Sequence, residues 1–265
     1  MKRSFWLIES DHSPIVATAL HCGHALRSDL EDNMALDESE RLREEDPFTD
    51  IFTQIVKNRI IDSHTRFEVD FNRPRNKAVY RYPDDAWGLH IWHTALSKPE
   101  IKKSLSLYDL FYKEMESYFS NIIKEYGYVV VLDIHSYNHQ RSGPDTPYDD
   151  PLLNPEINVG TKTLENPHKW HHLIDRVIEE MRAYDYLGRH LDVRENVKFY
   201  GGYFAQWIHE HFYPNACVLS IEFKKFFMDE WSGKADMRQI TEVKKMLEAI
   251  LPVIEKELHK MKEKS

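Results

Sequence analysis

Residues 128–134 read YVVVLDI, a run of tyrosine, valine, leucine and isoleucine interrupted only by Asp133. A strand with one wet face alternates apolar and polar side chains. This one does not, so it is expected to be covered on both faces, inside a sheet with helices above and below. The rest of the chain supplies such neighbours. Further strands are expected at Phe5–Ile8, Ile15–Leu20, Phe67–Phe71, Val197–Tyr200 and Ala216–Phe223, several of them rich in valine and isoleucine. Helices are expected at Pro47–Ile60, Pro99–Tyr126, Pro167–Tyr186, Tyr203–His211 and Met237–Met261. This interleaving predicts an α/β fold, a three-layer α/β/α sandwich with a mixed, mostly parallel sheet. With 265 residues and 42% hydrophobic content, residues 1–265 suffice for a single catalytic domain.

Two stretches read as long loops, residues 25–46 and residues 138–166, the second carrying Pro144, Pro147, Pro151 and Pro155. Long loops in compact domains often carry function. Within the first, DESERLREED reads equally well as a solvated helix.

Composition excludes several classes of partner. A formal charge of −9 with dispersed lysine and arginine argues against nucleic acid, whose affinity depends on clustered cations. Only Cys22 and Cys217 occur, too few for a disulfide framework or a thiolate metal site, so a reducing compartment is expected. The first apolar run stops at Ile8, short of a signal-peptide core, and no later segment has the length of a membrane span. A soluble, cytoplasmic protein is therefore expected, with its oligomeric state open.

Polar clusters stand where the strands end: His21-Cys22-Gly23-His24 after ATAL, Asp70-Phe71-Asn72-Arg73 at the third strand, and Asp133-Ile134-His135-Ser136 after VVVL. In open α/β sheets the carboxyl ends of strands line the ligand crevice, so such clusters can converge. Two histidines from different strands plus one carboxylate would make a three-ligand zinc site with a free fourth position, the catalytic pattern. His24 competes with His21 in an HxxH spacing, and Asp133 would either orient His135 or neighbour the ligands. His90 and His93 read as packing residues; His171, His172, His209 and His211 read as surface or helix-end residues. Glu222 closes the apolar strand ACVLSIEF, where an acid is either paired with a cation such as Lys224 or kept for a purpose. A carboxylate beside an activated water is the usual base of metal-assisted amide hydrolysis.

In chain order, LHCGH, EEDPFTDIF, TRFEVDFNRP, WGLHIW, VLDIHSYN, INVGT, GGYFAQWI and LSIEFKKFFMDE together resemble the N-formylglutamate amidohydrolases, relatives of aspartoacylase and the zinc carboxypeptidases. The resemblance runs from about residue 19 to about residue 230. It implies one Zn²⁺ held by His21, Asp46 and His135, with Glu45 the near competitor of Asp46. Leu20 stands where that family usually has proline, which leaves the histidine intact. The resemblance gives Asn72 and Arg73 the substrate carboxylate, sets Arg66 near the reacting carbonyl or a second carboxylate, and makes Glu222 the general base. Arginine suits carboxylates because its planar fork donates two parallel hydrogen bonds. The expected substrate is a small N-acyl amino acid with a free carboxylate, such as an N-formyl amino acid. Two further functions stay open: a carboxypeptidase or other deacylase on the same zinc site, and a non-catalytic metal-binding relative, which would have no use for Glu222.

Overall fold

The structure, a computed structural model, describes residues 5–263. Its centre is one sheet built from β1 (Trp6–Glu9), β2 (Ile15–Ala19), β3 (Asn58–Asp62), β4 (Val129–Tyr137), β5 (Ile157–Gly160), β6 (Val193–Glu195) and β7 (Ala216–Lys224), in the order β1-β3-β2-β4-β7-β5-β6. The pairs β2/β3, β2/β4, β4/β7 and β5/β6 are parallel, whereas β1/β3 and β5/β7 are antiparallel. The sheet is mixed and mostly parallel, as the sequence predicts. YVVVLDI falls in β4, whose nine residues are all buried, and the strand lies between β2 and β7.

Helices α1 (Ser28–Glu31), α2 (Glu38–Glu44), α3 (Thr49–Thr53), α4 (Lys98–Tyr126), α5 (His171–Ala183), α6 (Tyr203–Phe212) and α7 (Met237–Glu263) complete the described elements. One core joins Ala17, Val130, Leu132 and Ile134 to Phe52 of α3, Val177 of α5 and Val243 of α7. On the opposite face Val16, Val129, Val131 and Val218 meet Phe111, Met115 and Phe119 of α4 and Phe204 of α6. These alternate residues of β4 face two different cores, which is why its sequence has no polar phase. The longest helix, α4, starts at a capping box: the Glu100 amide donates to the Ser97 hydroxyl and the Ser97 amide to the Glu100 carboxylate. Its buried residues, among them Tyr108, Phe111, Tyr112, Met115 and Phe119, recur every three or four positions and form one apolar stripe.

Several expected elements are placed differently. The helix of Pro47–Ile60 is only α3; a turn follows and its last three residues open β3, where Asn58, Ile60 and Asp62 are buried and alternate with less buried Arg59 and Ile61. Phe67–Phe71 is not a strand but a series of turns, although Phe67, Val69 and Phe71 are all buried. Val197–Tyr200 is likewise irregular, and the strand beside β5 is Val193–Glu195. The two long loops contain structure: residues 25–46 hold α1 and α2, and residues 138–166 hold β5. DESERLREED is a helix, capped by a reciprocal Asp37–Glu40 box.

The turn after β2 passes so close to the end of β3 that a Cβ on Gly23 would stand 2.3 Å from the Ser63 carbonyl carbon. The substitution Gly23→Ala is expected to force these backbones apart at a cost of roughly 1–3 kcal/mol, lowering the midpoint of thermal unfolding by several degrees.

Candidate metal centre and active site

Three parallel neighbours, β2, β4 and β7, carry the site at or just beyond their carboxyl ends. In the β4/β7 register His135 is opposite Glu222, so a histidine and a carboxylate emerge side by side. His21 follows β2, which pairs with the other edge of β4. Asp46 comes from the segment between α2 and α3, and its amide donates to the His21 carbonyl at 2.8 Å. That bond seats a loop residue against a strand end.

His21, Asp46 and His135 each present one ligand atom within 4.8 Å of the others, and all three are buried. Asp46 Oδ2 lies 3.1 Å from His135 Nδ1 and 3.4 Å from His21 Nδ1. The far side of each ring is backed by an acid. His21 Nε2 is 2.8 Å from Asp70 Oδ1; His135 Nε2 is 3.2 Å from Asp133 Oδ2, and the Thr18 hydroxyl donates to the other Asp133 oxygen at 2.6 Å. Carboxylates behind Nε2 favour the tautomer with a proton there, leaving the Nδ1 lone pairs turned toward Asp46. Two lone pairs and a carboxylate then point at one small volume. They repel unless a cation or additional protons stand between them, so the donor set fits a divalent metal, and nitrogen and oxygen donors in this number suit zinc.

The electrostatics agree. Burial alone would raise the Asp46 carboxyl, but bonds to His135 and His21 hold it well below the usual carboxylate range. Burial opposes the charge on His135, yet Asp133 and Asp46 hold that imidazole well above the ordinary histidine value. Glu222 behaves oppositely: burial, reinforced by Asp46 and Asp133, outweighs His135 and Arg66 and pushes its carboxyl up to about 7. A carboxyl so poised can take and return a proton near neutral pH.

His24 and Glu45, the competing ligands, pair with each other instead. His24 Nδ1 lies 2.6 Å from Glu45 Oε2, and Arg41 reaches His24 Nε2 at 3.1 Å. Arg66 and Asn72 line the same cavity as the three donors, with Glu222 in its wall; its volume is about 420 Å³. Arg66 is tied to Asp70 Oδ2 at 2.9 Å, and its guanidinium lies 5.2 Å from the Trp87 ring. The Asn72 amide oxygen accepts from the Phe204 amide at 3.0 Å, and its nitrogen is 3.2 Å from His135 Nε2. That seat exists because residue 202 is glycine: a Cβ there would lie 2.1 Å from Asn72 Oδ1.

Arg73 lies near the same partners as Arg66, 3.6 Å from Asp70 and 6.0 Å from the Trp87 ring. It does not line the cavity; it donates to the Asp85 carbonyl at 2.8 Å and stacks 4.1 Å from the Tyr80 ring. The cavity instead holds three further cations, Arg141, Lys198 and Lys225. Lys225 is buried and donates to the carbonyls of Arg43 and Glu45, steadying the segment that carries Asp46. Lys224, the cation suggested as a partner for Glu222, bonds to the Asn154 carbonyl. Two lysines in succession give no signal as to which one turns inward.

A sequence model of the family described as N-formylglutamate amidohydrolase matches residues 13–227. No curated protein matches the sequence. The crystal structure of an N-formylglutamate amidohydrolase from Ralstonia eutropha JMP134 superimposes with a TM-score of 0.74 at 14% identity, covering 98% of this chain and 99% of that one. A gene product of Agrobacterium tumefaciens superimposes with a TM-score of 0.66 at 14% identity, covering 95% of each chain.

Two outcomes follow for metal uptake. Asp46→Asn should lose most of the divalent metal taken up, measured by elemental analysis, whereas His24→Ala should retain it. Because His135 must give up a proton to act as a ligand and its proton is held unusually tightly, zinc affinity should fall as pH drops, with proton release on binding detectable in weakly buffered solution.

Proposed function

Because the chain belongs to the N-formylglutamate amidohydrolase family, we propose that it is a zinc-dependent amidohydrolase that cleaves the amide of an N-acyl amino acid, such as an N-formyl amino acid, to a free amino acid and a carboxylic acid. The observation that carries this reading is the placing of Glu222 beside the His21-Asp46-His135 group, four side chains drawn from three neighbouring strands and one loop. His21, Asp46 and His135 would hold the metal, which supplies Lewis acidity and a water acidic enough to ionise near neutral pH.

The chain's own residues do the rest. Glu222 accepts the proton of the attacking water and returns it to the leaving nitrogen, so that the amine departs neutral. Arg66, held charged beside Asp70, faces the cavity and is placed to stabilise the oxyanion that develops on the carbonyl. Asp70 and Asp133 hold the two imidazoles in the tautomer that presents Nδ1. Asn72 spans His135 and the start of α6 and so helps to fix the wall against which the substrate rests. Arg73 acts from behind that wall, 3.6 Å from Asp70, as a positioning group for the same carboxylate.

No helix among the described residues is long and apolar enough to cross a membrane. Cys22 and Cys217 are both free thiols, which suits the cytoplasm.

The test is amine release from N-formyl, N-acetyl and longer N-acyl amino acids, before and after chelation. Release that chelator abolishes and zinc restores is expected; no release from any member of the panel by the zinc-loaded protein would overturn the reading. Glu222→Gln should retain zinc and lower kcat by about 10²–10⁴-fold. The base works only when ionised, so kcat/KM should be lost as pH falls, through a limb centred at or below about 7 because a bound cation draws Glu222 downward. That limb should be missing from the residual activity of Glu222→Gln.

A further inference from the structure

Resting on the amidohydrolase reading for the kind of ligand, the geometry raises a separate question: which side chains hold the substrate's carboxylate. Arg73 does not line the cavity, and the Asn72 amide oxygen is taken by the Phe204 amide. Of the four cations that line the cavity, Lys225 is occupied by two backbone carbonyls and Arg66 by Asp70 and the Tyr80 hydroxyl. Arg141 and Lys198 remain.

Arg141 is held but not neutralised. Its two terminal nitrogens reach the carboxylate of buried Glu44 at 3.4 and 3.1 Å, and its guanidinium lies 5.3 Å from the Trp87 ring. The same Glu44 carboxylate accepts from Arg43 and from the Asn138 amide, so one negative charge serves two arginines. The Arg141 side chain is still 40% exposed.

Lys198 makes no ion pair among the described residues. Its ammonium donates to the Asn154 side-chain oxygen and lies 5.1 Å from the Tyr137 ring. Its backbone is fixed with respect to the base: Asn158, opposite Glu222 across the β5/β7 pairing, accepts from the amides of Val197, Lys198 and Phe199. Burial holds the Lys198 ammonium below the usual lysine range, and the Arg141 charge works in the same direction, as expected of two cations sharing one cavity. Two incompletely compensated cations sharing one cavity are the complement of a carboxylate.

We propose that Arg141 and Lys198 form the subsite that receives the α-carboxylate of the substrate, the role that the sequence resemblance gives to Asn72 and Arg73. Glu44 and Trp87 are positioning residues for Arg141, and Asn158 is the positioning residue for Lys198. The scissile amide is thereby held at a fixed offset from Glu222, on the side of the cavity formed by residues 136–141 and 198–202.

The experiment compares two ligands, N-formylglutamate and its α-amide, by calorimetric titration of zinc-loaded Glu222→Gln protein, which removes turnover. The α-amide should bind about tenfold or more weakly, the magnitude of one charge-assisted contact. Adding Arg141→Met and Lys198→Met should erase that ratio while zinc content and the thermal midpoint hold; Arg141→Lys, which keeps charge but loses the fork, should give an intermediate ratio. Adding Arg73→Met instead should leave the ratio intact. A ratio unchanged by the Arg141/Lys198 pair, a ratio abolished by Arg73→Met at full zinc content, or no binding of either ligand would each overturn the subsite. If the unsubstituted protein hydrolyses nothing while the ratio behaves as expected, the subsite stands and the reaction assigned to it fails.

Discussion

The parallel pairing of β4 with β7 is the constraint on which the rest of the structure depends. Nine successive residue pairs, from Val129 with Ala216 to Tyr137 with Lys224, fix the register. A slip of one residue would turn every side chain of one strand to the opposite face, exchanging the two cores and separating His135 from Glu222. The apolar residues that bury both faces of β4 are therefore what hold the chemistry in alignment. Packing and the candidate site share one register here, and the first determines the second.

Around that register, loops deliver what strands cannot. Asp46 reaches the histidines because its amide bonds to the His21 carbonyl and because Lys225 grips the carbonyl next to it. Each contact is ordinary, worth on the order of 1 kcal/mol or somewhat more where a charge takes part. Their value lies in geometry, since ligand atoms for a small cation must agree to a fraction of an ångström.

Much of this is legible in the sequence, and the losses have physical causes. YVVVLDI announces a doubly covered strand because a strand with one face in water would have to place polar residues at every second position. His21, His135 and Glu222 can be picked out because each breaks an apolar strand at its carboxyl end. The strand expected at Phe67–Phe71 does not form because period-two apolar spacing does not require pairing: Phe71 is buried by stacking on Phe111, 4.2 Å between centroids, within a run of turns. Residues 197–199 look extended but are held by the side chain of Asn158, where a strand would have a ladder. Helix α3 is shorter than its sequence suggests because Ile51 and Ile55 keep helical spacing just before NRIID adopts the period of a strand. The cavity cations are illegible for a different cause. Lys198 and Arg141 lie in irregular segments, where sequence spacing does not determine which way a side chain turns.

Asp70 is shared. Its two oxygens serve His21, Arg66 and the Tyr80 hydroxyl, with Arg73 close by, so one carboxylate joins a candidate metal ligand to an arginine that lines the cavity. That half of the cavity is difficult to alter piecemeal, because a change suited to a new substrate would also disturb the metal. Glu44, Arg141 and Lys198, among the described residues, bond to none of the three candidate donors. Descendants of this chain could exchange those residues, and with them the molecules they accept, while leaving the reaction itself untouched. The two halves of one cavity would then evolve at different rates, one held still by its shared acid and the other free to drift.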